Sequence, residues 1–253
     1  MKLPISVFII TKNEQLHLAK TLKSVACVDE IIIVDSGSTD KTLEIATKFG
    51  AKIFQHDWQG YAKQKQYAMT LCSNEWVLNL DGDEVVNPSL LSAFEKIMNE
   101  NKVDSVRMWR NDIFINKRLS TLSKKANNHR FYRKSKASFD SSQLVHESAN
   151  VIGKEIFINE SFDHYGYDSI STITNKSNLY STLKAEEKFS KNKQYSLLKL
   201  IFVFPLFFFK DYFLQRKFFS GTRGFILAVL RSYYAFSKEA KLYEQHQNNQ
   251  HKK

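Results

Sequence analysis

The first 110 residues alternate runs that are apolar along their whole length with segments of helical pattern. Ile5-Ser6-Val7-Phe8-Ile9-Ile10, Ile31-Ile32-Ile33-Val34, Ala51-Lys52-Ile53-Phe54 and Trp76-Val77-Leu78-Asn79-Leu80 read as strands. Segments near 14–25, 39–48 and 61–71 read as helices, the second opening at the capping cluster Ser38-Thr39-Asp40. A strand wet on one face alternates apolar and polar residues. Strands that are apolar on both faces need cover on both, and intervening helices supply it. The pattern predicts an α/β fold with a mostly parallel sheet flanked by helices. Ligands of such sheets bind beyond the carboxyl ends of the strands.

Polar motifs stand at those ends: Thr11-Lys12-Asn13-Glu14 after the first strand, Asp35-Ser36-Gly37-Ser38-Thr39-Asp40 after the second, and Asp81-Gly82-Asp83-Glu84 after the fourth. A carboxylate cluster at the mouth of a buried strand is costly unless something cationic neutralises it. Hard oxygen ligands of this type suit Mg²⁺ or Mn²⁺, which commonly bridge a protein carboxylate to substrate phosphates. The alternative for this tetrapeptide is an acidic turn, since Asp-Gly is a common turn signal. No Gly-x-Gly-x-x-Gly follows the first strand and no Gly-x-x-x-x-Gly-Lys-Ser/Thr loop is present, which disfavours a dinucleotide dehydrogenase and an ATPase.

A further helix is expected from Pro88, with Asn87 as its cap. Between about 103 and 160 the pattern shifts to shorter strands such as Ser105–Trp109 and Arg130–Arg133. The Lys-, Asn- and Ser-rich stretch 116–129 reads as a mobile substrate loop or an ordinary exposed connection. From about 168 the chain reads as helical to near 245, with 246–253 a disordered tail. Cys27 and Cys72 make neither a metal spacing nor a disulfide framework and fit a reducing compartment. Met1-Lys2-Leu3-Pro4 leads straight into the first strand without a signal-peptide pattern, so the expectation is a cytoplasmic catalytic part.

Of the net charge of +11, most lies in residues 191–253, which carry 12 Lys/Arg against 3 Asp/Glu. A basic tail of this kind meets a polyanion, nucleic acid or an anionic membrane. The basic residues Lys199, Lys210, Arg216, Lys217, Arg223 and Arg231 border the apolar run Leu200–Phe209. That run is about half the ~20 residues needed to span a bilayer, and Pro205 interrupts it. Charge interleaved with contiguous Phe argues against a nucleic-acid strip. It suits helices lying in a membrane interface, peripheral on the inner face of the cytoplasmic membrane. The alternative is that these aromatics pack on the main domain or in a dimer.

Taken together, Ile9–Glu14, Ile33–Thr42, the Gly60–Ala68 segment with Gln64-Lys65-Gln66, and Asp81–Glu84 resemble a family 2 glycosyltransferase of the GT-A fold. The resemblance covers about residues 3–170. Val145-His146-Glu147, His164-Tyr165 and the basic aromatic tail resemble the bacterial branch that adds sugars, often glucose, to the inner core of lipopolysaccharide or lipooligosaccharide. It implies a GT-A catalytic domain over 1–167, with a nucleotide-sugar half at about 1–100 and an acceptor half at about 101–167. A C-terminal basic and aromatic helical region follows at 168–245.

The resemblance also implies roles. Asp83 carries over as the dependable metal ligand for Mn²⁺ or Mg²⁺, with His164 a second ligand, unless it is a hydrogen-bonded histidine in a loop, and Asp81 near the ribose or the metal's water shell. Thr11, Asn13 and Glu14 line the base and ribose pocket. Asp35 or Ser36 contacts the base, Ser36 standing where relatives carry a second aspartate. Lys65 lies near the nucleotide, unless it is a solvated helix lysine. Glu147 is the base that deprotonates the acceptor hydroxyl, unless it pairs with Arg130 or Arg133. The expected partners are a UDP-sugar donor, a saccharide-lipid acceptor and an anionic membrane surface. A polyprenyl-phosphate, capsule or exopolysaccharide acceptor is the alternative within the same chemistry, and a non-catalytic nucleotide-sugar or membrane-surface binder the alternative outside it.

Overall fold

The computed structural model describes residues 2–140, 148–167 and 169–250. The elements run β1 (Leu3–Thr11), α1 (Leu18–Ser24), β2 (Val28–Asp35), α2 (Thr42–Lys48), β3 (Lys52–Gln55), α3 (Tyr61–Thr70), β4 (Trp76–Asp81), β5 (Glu84–Val86) and α4 (Pro88–Glu100). Then come β6 (Ser105–Phe114), β7 (Lys117–Arg118), β8 (Ala126–Arg133), β9 (Ala137–Ser138), β10 (Asn150–Val151) and β11 (Glu155–Tyr167). The helices α5 (Ile170–Ser190), α6 (Leu197–Phe209) and α7 (Gly221–Gln250) complete the chain. Two compact units result: residues 1–111 with 126–165, and residues 112–125 with 166–253.

The main sheet is mixed, in the order β3-β2-β1-β4-β8-β6-β11-β5, with β7 paired to β6. Its first four strands are parallel, as their fully apolar sequences require. From β4 onward the pairings β4–β8, β8–β6 and β11–β5 are antiparallel, and β6 and β11, at 10 and 13 residues, are longer than the short strands expected after residue 103. In the parallel half the strand order reverses between β1 and β4, the kind of switch point at which ligands of such sheets bind.

Alternate residues of one strand feed two cores. Ile5, Val7, Ile9, Leu78, Leu80 and Phe131 join Leu18, Leu22 and Phe94 on one face. Phe8, Ile32, Val34, Val77 and Tyr132 join Ala62, Ala68 and Met69 on the other. Each fully buried side chain of this size contributes about 1.5–3 kcal/mol, which is why both faces hold helices. Phe131 anchors the first core, its ring stacked on Trp76 at 4.6 Å and on Phe94 at 4.0 Å. Cys27 and Cys72 are free thiols. Burial and the nearby Glu30 carboxylate push the Cys72 thiol up to about 12, so it is no nucleophile.

Several boundaries differ from the sequence reading, each for a local reason. The first helix begins at Leu18 rather than near 14, because Asn13 takes a left-handed turn at φ 57°. The second begins at Thr42, not 39: Ser38 and Thr39 bond Asn13 of the neighbouring loop, while Asp40 accepts from Gln15 N–H with one oxygen and from Thr42 N–H, at 2.9 Å, with the other. Asn87 and Pro88 do open α4, yet the Asn87 side chain donates to the Ser161 carbonyl at 2.5 Å instead of capping the helix.

In the second unit the stretch expected as a mobile loop or an exposed connection is anchored. Leu119 N–H donates to the Asp112 carbonyl at 3.1 Å, Lys124 N–H to the Gln215 carbonyl at 3.0 Å, and the Ser123 hydroxyl to the Arg216 carbonyl at 2.9 Å. The last helix continues to Gln250, through most of the tail expected to be disordered. Part of the reason is His246, whose ring lies 4.9 Å from Phe189 and whose Nε2 is 3.0 Å from the Lys193 carbonyl. No helix among the described residues is long and apolar enough to cross a membrane.

Candidate active site

Parallel register brings the polar motifs to one sheet edge. Thr11 lies opposite Asp35 on β2, and Ile10 lies opposite Asp81 on β4. Asp35 is fully buried and shapes the loop after β2. It accepts from the Thr11 hydroxyl at 3.0 Å, from the N–H groups of Gly37 and Ser38 at 2.9 and 2.8 Å, and from the Ser38 hydroxyl at 2.5 Å. The sequence offers Asp35 or Ser36 for the base contact; in the structure the Asp35 oxygens organise the loop. Ser36, its neighbour, accepts from the Gln64 amide at 2.7 Å, and Gln64 also donates to the His56 carbonyl at 2.9 Å. Gln64 therefore ties the ends of β2 and β3 to α3.

Asn13 sits in the left-handed region that Asn tolerates better than most residues. There its N–H donates to the Ser38 hydroxyl at 2.8 Å while its side-chain oxygen accepts from Thr39 N–H at 2.8 Å. Glu14 N–H donates to the Thr42 hydroxyl at 2.8 Å. The Glu14 side chain runs beside Gly82, where an added Cβ would meet its Cγ at 3.0 Å. A side chain at position 82 would require Glu14 to give by a few tenths of an ångström. The Thr21 hydroxyl fixes the same turn by donating to the Gly82 carbonyl at 2.8 Å.

The four residues of the acidic motif have separate environments. Asp81 is held by two cations, Lys65 Nζ at 3.0 Å from one oxygen and an Arg130 nitrogen at 2.7 Å from the other. Burial pushes its pKa upward, but Arg130 and then Lys65 outweigh that and hold the carboxyl well below the usual range. Lys65, at 3% exposure, is not the solvated helix lysine of the alternative reading. Glu84 is fully buried and also meets Arg130, at 2.5 Å. Its pKa is raised, by burial first, with Arg130 opposing and the Asp81 charge adding to the rise. One guanidinium cannot hold both neighbouring carboxylates down.

Asp83, largely buried, faces His164, whose Nε2 lies 3.8 Å from its carboxylate. The β5–β11 ladder sets this geometry, pairing His164 with Glu84, while Tyr165 N–H donates to the Asp83 carbonyl at 2.9 Å. No group of three or more His, Cys, Asp or Glu among the described residues is arranged to hold a metal ion. The donor set fits Mn²⁺ or Mg²⁺ all the same. One carboxylate and one imidazole leave most positions to diphosphate oxygens and water, the arrangement hard cations take when the substrate supplies ligands.

Glu147, with the rest of Val145-His146-Glu147, lies outside the described residues. The two arginines named as its possible partners bind other carboxylates: Arg130 as above, and Arg133 Asp104 at 3.4 Å. Arg130 is the site residue the sequence reading did not assign to the acidic motif. The signal was an arginine within the otherwise apolar Arg130-Phe131-Tyr132 run, a position that demands a buried carboxylate.

Residues 6–163 match the sequence profile of the family described as Glycosyl transferase family 2. The chain is a family 2 glycosyltransferase. Full-length relatives agree. An uncharacterized glycosyltransferase of Rickettsia conorii is 34% identical over 95% of this chain and 90% of its own length. The lipopolysaccharide core biosynthesis glycosyltransferase LpsC of Rhizobium meliloti is 34% identical over 97% of this chain and 94% of its own. In three dimensions this glycosyltransferase is similar to S. aureus TarS, with a TM-score of 0.50 and 20% identity over 96% of this chain and 54% of that one. That likeness concerns the GT-A fold alone.

Proposed function

We propose that this glycosyltransferase is inverting and metal-dependent, moving a hexose from UDP-glucose onto a lipid-linked saccharide such as the core of lipopolysaccharide. The observation that carries the reading is the meeting of Asp83 and His164 at 3.8 Å, beside an Asp81 that Lys65 and Arg130 already neutralise. A divalent cation bound there offsets the negative charge that grows on the diphosphate as the glycosidic bond breaks. Asp83 and His164 hold that cation, Thr11, Asn13 and Glu14 border the nucleoside, and Lys65 keeps Asp81 in register at the ribose side. Glu147 takes the proton of the acceptor hydroxyl, on the face opposite the leaving diphosphate.

The acceptor class is supported by the relative named for lipopolysaccharide core biosynthesis. It is supported too by the C-terminal unit, whose exposed Leu, Ile and Phe side chains and excess of Lys and Arg suit the interface of an anionic membrane. On this reading the enzyme works at the cytoplasmic face, where its amphiphilic acceptor is made.

The test is a screen of UDP-sugars with purified protein and a lipid-linked saccharide fraction, with Mn²⁺, Mg²⁺ or chelator, reading UDP release and product mass. Turnover should need the cation, and Asp83→Ala should abolish it in a protein that still melts like the wild type. Near-normal turnover by folded Asp83→Ala overturns the metal assignment.

A further inference from the structure

The β5–β11 ladder that brings His164 to Asp83 is short. It pairs Phe162 with Val86, Asp163 with Val85 and His164 with Glu84, and β5 itself has three residues. So short a ladder holds its end residues weakly, and Asp83 and His164 stand at its end. Contacts from outside the ladder have to fix them.

Helix α1 supplies these contacts from one face. The Thr21 hydroxyl donates to the Gly82 carbonyl at 2.8 Å, and the Ser24 hydroxyl accepts from Val86 N–H at 3.1 Å. Lys20 donates to the Tyr165 phenol at 2.5 Å, its Nζ lying 3.8 Å from the ring centroid. The His17 ring lies 5.4 Å from the same ring. Positions 17, 20, 21 and 24 are spaced to share one face of a helix. Tyr165 in turn donates its N–H to the Asp83 carbonyl at 2.9 Å. The carbonyls on either side of the Asp83 Cα are thus both held, that of Gly82 by Thr21 and that of Asp83 by Tyr165. These two peptide planes set φ and ψ of Asp83, and with them the direction of its carboxylate. Tyr165 also follows His164 directly, so one clamp fixes the backbone of both residues. Lys20 is exposed and could leave its ammonium in water; here the ammonium closes the clamp.

We propose that Tyr165 is a positioning residue of the cation site, its ring held by Lys20 and His17 so that Asp83 and His164 keep the spacing at which both reach one divalent ion. This rests on the cation reading above and deepens it, adding residues that touch neither metal nor diphosphate. Outer contacts of this kind change metal affinity about 10–100-fold.

The experiment measures Mn²⁺ binding to the full-length protein in saturating UDP, from the paramagnetic resonance signal of unbound Mn²⁺. UDP affinity in chelator and the melting temperature are read beside it. Tyr165→Phe loses only the phenol oxygen, and Lys20→Met loses the charge and keeps the bulk. Each should weaken Mn²⁺ binding about tenfold while UDP affinity in chelator stays at the wild-type value. Lys20→Arg, which keeps a cation at the ring, should recover most of the loss. The double variant should be no weaker than Tyr165→Phe, because both substitutions break one contact. Wild-type Mn²⁺ affinity in both single variants, with none in Asp83→Ala, overturns the clamp and leaves the cation assignment standing. Wild-type affinity in folded Asp83→Ala overturns that assignment, and the clamp with it. A loss of UDP affinity in chelator as large as the loss of Mn²⁺ affinity marks a general fastening of the fold and also overturns the proposal.

Discussion

Replacing Arg130 with Met tests the electrostatic account of the acidic motif most directly. Arg130 is largely buried and its guanidinium bridges Asp81 and Glu84. Methionine keeps the apolar bulk and removes the charge. Breaking a buried ion pair by deleting one partner typically costs about 3–5 kcal/mol. The lower end applies, because Asp81 is partly exposed and retains Lys65, so fully buried Glu84 carries most of the loss. About 3 kcal/mol corresponds to a melting-temperature drop of roughly 6–12 °C for a protein of this size. A carboxyl whose folded pKa lies above its unfolded one disfavours folding once pH passes the unfolded value. Glu84 is such a group, and Arg130 is the cation that opposes the rise. The deficit should therefore be full at pH 8 and shrink towards pH 5.5 as Glu84 takes up its proton. Asp81, with a depressed folded pKa, works the other way: its contribution is present above the ordinary carboxylate value and is lost only as pH falls through the folded one. Calorimetric melting at pH 8 and 5.5 reads the Glu84 effect alone, since the Asp81 contribution is the same at both. Adding Glu84→Gln should restore more than half of the loss. A double variant no more stable than Arg130→Met, or a deficit equal at both pH values, would refute the reasoning.

Gly224 sits in α7 where an added Cβ would stand 1.9 Å from the Lys217 carbonyl oxygen, so Gly224→Ala should destabilise at the upper end of the roughly 1–3 kcal/mol typical of overpacking. Thermal melting checks this, and a wild-type melting curve contradicts the close approach. Glu147→Gln should leave UDP binding intact by calorimetry while slowing transfer about 10²–10⁴-fold, the usual worth of a general base. Normal turnover in that variant moves the base to another residue.

What could be read from the sequence divides by the range of the interactions involved. Apolar runs such as Ile31–Val34 and Trp76–Leu80 fix strands by local pattern, and all four parallel strands fall where that pattern puts them. The caps of α1 and α2 were harder to place, because they depend on two loops exchanging bonds across more than 20 residues. The Asn13 and Ser38 contact has no signature in either segment alone. Asp35 shows the same limit. A buried aspartate after a strand reads equally as a ligand contact or a loop organiser, and the four bonds it accepts show the second role. In the C-terminal unit, composition pointed to an apolar surface or to aromatics packed inward, and α6, which buries none of its residues, takes the first course.

The acidic motif joins these observations. Asp81, Asp83 and Glu84 are adjacent in sequence and chemically alike, so the tetrapeptide cannot say which of them a cation would take. The choice is made by residues supplied from elsewhere in the fold. Lys65, from α3, and Arg130, from β8, direct two positive charges at Asp81 and Glu84, and β11 brings an imidazole, not a guanidinium, to Asp83. An arginine keeps its proton at any working pH and repels a divalent cation; a neutral imidazole binds one. The motif is therefore asymmetric by construction. Asp81 is held ionised by two cations, Glu84 shares one of them and keeps a raised pKa, and Asp83 meets an imidazole instead.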